Sequence, residues 1–106
     1  MIDRTIALID DLRKLPAETP WVEFKVNNAD PVKIGKLISA LSNAARISGQ
    51  QFAYLVWGVQ DENHKITGTT FEPLTSNVEK EPLEFWLANR LQPSIAFSFK
   101  LELLVS

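Results

Sequence analysis

Between Phe52 and Val59 the chain runs Phe-Ala-Tyr-Leu-Val-Trp-Gly-Val, with apolar residues on both alternating sets of positions. A strand turns successive side chains to opposite faces, so a run apolar on both faces belongs in the middle of a structure, covered on each side. That requirement constrains the fold more than any other feature of the sequence. The remaining segments must supply the two covering layers. With 106 residues, 45% of them hydrophobic, there is material for one core and one domain, spanning residues 1–106.

The flanking segments divide clearly. Ile2, Ile6, Ile9 and Leu12 recur at helical spacing and predict an amphipathic helix over the first thirteen residues, broken from Leu15-Pro16 to Pro20. Val22, Phe24 and Val26 then alternate with Trp21, Glu23 and Lys25, a strand pattern that sets the aliphatic side chains against a core and gathers the other three on the opposite face. Asp30-Pro31 is a strong helix start, an N-cap acceptor followed by a residue with no N–H to orphan. Val32, Leu37, Ile38, Leu41 and Ala45 continue that helix as a buried stripe, and Ser48-Gly49 stops it.

After the central run, Asp61-Glu62-Asn63-His64 has turn composition and Lys65-Ile66-Thr67-Gly68 returns as a short partner strand. Phe71 to Asn77 reads as a loop. Pro82 with Leu83, Trp86, Leu87 and Leu91 predicts a third helix ending before Pro93, and Ile95 to Leu103 alternate as a long amphipathic strand. The expected fold is α/β (α+β), in the order α-β-α-β-β-α-β, with a mixed sheet of about four strands and helices packed on it. Because the sequence stops directly after its last strand, a fragment of a longer chain is the expectation.

Composition excludes several classes. Eleven basic and thirteen acidic residues give a net charge of −2, spread without a basic tail or a run of like charge, so any basic footprint must be assembled locally by folding. No run approaches the roughly 18 apolar residues of a membrane span, and Met1-Ile2-Asp3-Arg4 does not begin a secretion signal, which makes a cytoplasmic location the expectation. Without cysteine there is neither a disulfide framework nor a thiolate zinc site. No GxxxxGK[ST] loop occurs, so nothing supports ATP as a cofactor.

Four pieces in fixed order carry a family resemblance: Glu18-x4-Glu23-Phe24-Lys25; Ser39-Ala40-Leu41-Ser42-Asn43; Leu55-Val56-Trp57-Gly58-Val59-Gln60-Asp61; and Ile66-Thr67-Gly68. Together they resemble the Schlafen AlbA_2 domain, also called divergent AAA-4, over roughly residues 10 to 100. The resemblance implies a nucleic-acid-binding domain, DNA before RNA, at the N-terminus of a bacterial transcriptional-regulator-like protein, with no cofactor required. Many relatives place a glycine pair shortly after the asparagine. Here Ala44-Ala45-Arg46-Ile47-Ser48 intervenes before Gly49, which weighs against a phosphate contact at that turn.

Ribonuclease-active relatives implicate a second chemistry. Their two glutamates and an aspartate match Glu18, Glu23 and Asp61, a carboxylate set suited to Mg²⁺ or Mn²⁺, with Lys25 available to stabilise charge on a phosphate. The competing nucleic-acid reading uses Lys25, Lys33, Lys36 and Arg46 as phosphate contacts with Trp21 as a stacking surface; Lys33 and Lys36, one turn apart, share a helix face. A third alternative is self-association as a homodimer through the free edge of the terminal strand. Plainer roles stand beside each: Glu23 paired with Lys25, Asp61 as a turn former, Lys33 and Lys36 as the solvated side of a helix. His64, the lone histidine, reads as a turn residue, Trp57 and Trp86 as core, and Asn43 as a buried residue bonded to neighbouring backbone.

Overall fold

The computed structural model describes residues 4–16, 19–27, 29–91 and Phe97. Its centre is a parallel pair: β1 (Val22–Lys25) lies beside β2 (Tyr54–Trp57) in the register Val22 to Tyr54, Glu23 to Leu55, Phe24 to Val56 and Lys25 to Trp57. Parallel strands need a long crossover, and α2 (Pro31–Ile47) supplies it, so the three elements form a β-α-β unit. The entry to α2 is as the sequence predicts. Asp30 caps it, its Oδ1 accepting a hydrogen bond from the Val32 N–H at 3.0 Å, and Pro31 takes the first turn. At the other end Gly49 adopts a positive φ of 72° and the Gln50 N–H closes on the Ala45 carbonyl at 2.8 Å.

The register assigns each side chain of β2 to a face. Tyr54 and Val56, beside Val22 and Phe24, look toward a cluster containing Leu12 and Val59, to which α1 (Arg4–Arg13) contributes Leu8 and Leu12. Leu55 and Trp57 look the other way, into a cluster built from Ile34 of α2, Phe71, and Leu83 and Leu87 of α3 (Leu83–Arg90). Both faces of the strand are therefore covered, as its composition demands. Ile34, Leu83 and Leu87 are fully buried. Trp86 and Trp57 pack at the margin of the second cluster, Trp57 with its ring 4.8 Å from that of Phe71.

Beyond β2 the chain turns sharply at Gly58, whose φ of 92° excludes most side chains. Its carbonyl accepts from the N–H groups of Thr67 and Gly68, and a bridge joins Val59 to Ile66. The predicted hairpin is thus present, although only this bridge has ladder geometry. Its turn is tied to α1 twice: Arg13 Nε donates to the His64 carbonyl at 2.7 Å, and His64 Nδ1 lies 2.8 Å from the Arg13 carbonyl.

The buried stripe of α2 differs from the expected one, since Val32 is exposed and Ile34 is buried in its place. The segment read as a plain loop from Phe71 to Asn77 starts with a buried aromatic and ends in a second small sheet, β3 (Asn77–Val78) antiparallel to β4 (Glu81–Pro82). Strands of two residues carry no alternation to detect. The mixed α/β character holds: the described strands form two two-stranded sheets. The expected terminal strand, Ile95 to Leu103, lies outside the described residues apart from Phe97, which packs against the second cluster.

Two stability measurements check this packing. Leu87→Ala, which empties a fully buried site between α2 and α3, is expected to cost about 3 kcal/mol in denaturant unfolding. At Gly58 an added Cβ would meet Gly68 backbone atoms at 3.1 and 3.2 Å, whereas at Gly35 it would meet Leu87 Cδ2 at an ordinary 3.6 Å. Gly58→Ala should therefore lose about 2 kcal/mol and Gly35→Ala, mid-helix, should gain about 0.5–1 kcal/mol. Equal effects at the two glycines would contradict the crossing of Gly58 over the returning chain.

Candidate functional site

In open parallel sheets ligands gather at the carboxyl ends of the strands, where the connecting loops diverge. Here that edge holds Lys25, the end of β1, beside Trp57, the end of β2. Glu23 and Lys25 share the face that carries Leu55 and Trp57, and they meet: Lys25 Nζ lies 3.2 Å from Glu23 Oε1, with the two side chains 35% and 31% exposed. The expected neighbouring of these two residues is realised as an ion pair. The pair is partly exposed, so a phosphate that approached Lys25 would share its ammonium with Glu23.

Asp61 stands exposed in the hairpin turn. Its surroundings are backbone-organised: Gln60 N–H to the Lys65 carbonyl, His64 N–H to the Gln60 carbonyl, Lys65 N–H to Asn63 Oδ1. The same turn rests its His64 ring 4.5 Å from Phe24, a side chain on the face of β1 opposite to Glu23. Glu18 lies outside the described residues, and among the described residues no three histidine, aspartate or glutamate side chains gather where they could hold a metal ion. As a donor set, Glu18, Glu23 and Asp61 fit a hard cation by atom type, since all three offer carboxylate oxygens. A cation at Glu23 would take the place of the Lys25 ammonium.

The basic candidates on α2 are placed differently. Lys33, Lys36 and Arg46 are all exposed, along with Ala40, Asn43 and Ile47, while Ile34, Leu41 and Ala45 are buried on the opposite side. Asn43 is accordingly a surface residue, not the buried polar group expected. Its position 43 falls two residues from each of Leu41 and Ala45, which turns it away from the face they bury. The whole of α2 carries three of the basic residues and no acidic one, although the chain as a whole is acidic. From Lys33 to Arg46 the stripe extends about 20 Å at helical rise.

Trp21 is not a ring spread on a charged face. It packs against the cluster of Leu12, Val22 and Phe24, with its centroid 6.3 Å from that of Tyr54. The alternation did place it opposite Val22, but strand geometry begins only at Val22, so the alternation does not govern its direction. It lines a cleft of about 400 Å³ together with Leu8, Asp11, Gln50, Phe52 and Tyr54. Sequence reading missed this cleft because its walls come from three separated segments. It also missed Asn27, whose Oδ1 accepts from Thr69 Oγ1, Thr70 N–H and Thr70 Oγ1 and so ties the end of β1 to the loop after the hairpin.

A scan against protein families matches the model described as Schlafen, AlbA_2 over residues 18–104. No curated protein and no solved structure matches the chain. The matched span takes in the β-α-β unit, the Glu23–Lys25 pair, the hairpin and α3. With most of its length matched, this chain belongs to the Schlafen AlbA_2 family.

Proposed function

We propose that this chain is a nucleic-acid-binding module, with DNA preferred over RNA, that serves a bacterial transcriptional-regulator-like protein. Family membership supports the class of ligand, since the family is associated with nucleic-acid binding. The observation that carries the reading to particular residues is the exposed stripe of α2: Lys33, Lys36 and Arg46 over about 20 Å, with no carboxylate among them. A phosphate backbone needs such a local array, because a net charge of −2 repels polyanions at long range. Shape supports the preference for DNA. A solvent-facing helix fits the roughly 12 Å major groove of B-form DNA, whereas the deep, narrow major groove of A-form RNA excludes it.

A second reading is a metal-dependent endonuclease using Glu18, Glu23 and Asp61. It draws on the matched span, which begins at Glu18 and contains all three carboxylates. A bound Mg²⁺ or Mn²⁺ would polarise the phosphodiester and lower the pKa of a water. The chain's own part would be the carboxylate oxygens that hold the ion and the Lys25 ammonium, freed from Glu23, set against the phosphate. This reading requires the 3.2 Å ion pair to open, which the first does not.

Salt dependence separates a phosphate-tracking helix from weak nonspecific association. With three cations engaged, the logarithm of the association constant for a short DNA duplex should fall with log salt at a slope near −2.7, and Lys33→Ala with Lys36→Ala should reduce that slope by about 1.8. An unchanged slope in the double variant would remove α2 from the interface. For the nuclease reading, labelled tRNA and single-stranded DNA incubated with Mn²⁺ should be cut, and EDTA or Glu23→Gln should abolish the cutting. Intact substrate, or a Glu23→Gln protein that cuts as well as the parent, retires it.

A further inference from the structure

We infer that the cleft between α1 and the segment Gln50–Tyr54 is a pocket for one unpaired nucleobase, reached past the C-terminal end of α2. The inference rests on the nucleic-acid reading and adds to it a ligand group and a second contact surface. Its volume, about 400 Å³, falls in the range of about 300–1,000 Å³ typical of sites for small organic groups.

Three rings define the cleft. Trp21 and Tyr54 have centroids 6.3 Å apart at an interplanar angle of 58°, and Phe52 and Tyr54 are 6.5 Å apart at 51°. These are tilted aromatic contacts, not stacks, and Phe52 at the end of the row stands 59% exposed, which leaves its ring open to a further partner. An exposed phenylalanine beside a half-buried tryptophan is a surface that a flat π face covers well, and base–aromatic stacking tolerates any base because each has such a face. Leu8, Leu12 and Leu15 floor the cleft with aliphatic surface.

The polar groups at the mouth suit the edge of a base. Gln50 and Gln51 each present an amide with both donor and acceptor capacity, and Asp11 presents acceptors only. A carboxylate can accept from the exocyclic amine of cytosine, and glutamine can pair with adenine. The same carboxylate repels phosphate, so the neutral base is the part that enters and the backbone stays outside. The Gln50 N–H closes on the carbonyl of Ala45, so the cleft wall continues from the C-terminal end of the basic helix. A DNA duplex with a single-stranded overhang supplies both parts of the ligand, phosphates along α2 and a free base at its end.

The test uses a DNA duplex carrying a short overhang with 2-aminopurine at its first unpaired position, and the blunt duplex as reference. Binding is followed by anisotropy and stacking by 2-aminopurine fluorescence. The inference predicts that bound overhang DNA loses fluorescence, and that Phe52→Ser, at a site too exposed to matter for folding, restores most of it. The same variant should weaken overhang binding about tenfold, the effect of losing one stacking partner, while leaving the blunt duplex unchanged. Overhang DNA that binds with its fluorescence intact, or that binds Phe52→Ser as tightly as the parent, overturns the pocket while leaving the α2 interface standing. Absence of binding to either DNA removes the nucleic-acid reading and the pocket with it. A sedimentation mass that rises with concentration in the parent but not in Phe52→Ser, with DNA binding equal in both, assigns the cleft to a second copy of the chain and also overturns the inference.

Discussion

Two four-residue strands in parallel register cannot be joined by a tight turn and cannot stand alone in water, and in this molecule those two facts organise everything else. The need for a crossover places α2 on one face of β2 and fixes its direction, so that its start follows the carboxyl end of β1 and its end leads into β2. The need to cover β2 on both faces brings α1 to one side and α2 with α3 to the other. Side-chain placement then follows from parity alone. Val22 and Phe24 enter the α1 cluster, while Glu23 and Lys25 come out on the opposite face and meet as an ion pair.

The same geometry sorts the chain's charges. Burial of Ile34, Leu41 and Ala45 obliges the other half of α2 to face solvent, and that half bears Lys33, Lys36 and Arg46 without a carboxylate. An acidic chain thereby displays a basic surface, which no count of charges over the whole sequence would show. The carboxylates take other places: Glu23 is held by Lys25, Asp61 is exposed at a turn anchored through His64 to Arg13, and Asp30 is spent on capping.

How much of this the sequence disclosed depended on whether the signal was local. The Asp30-Pro31 cap, the alternation in Val22 to Lys25 and the apolar run around Tyr54 to Trp57 are each written in adjacent residues, and each element forms where they indicate. Features assembled from distant segments were not legible. Trp21 turns into a hydrophobic cluster because Tyr54 and Leu12 arrive there from 33 residues later and 9 earlier, and no pattern around position 21 records their arrival. Asn27 holding Thr69 and Thr70, and the His64 to Arg13 exchange, are long-range bonds of the same kind. Asn43 is exposed for a different reason: helical phase sets it two residues from the buried Leu41 and Ala45 and so on the opposite side of α2.

The claim at the centre of this account is that nucleic acid lies along the exposed face of α2. The most direct test is a titration of isotope-labelled protein with a short DNA duplex, following backbone amide shifts residue by residue. The account predicts that the largest changes cluster at Lys33, Lys36, Ala40, Asn43 and Arg46, with α3 and the 61–64 turn little affected. Shifts concentrated at Glu23, Lys25 and Asp61, with α2 unmoved, would contradict it and transfer the function to the carboxylates.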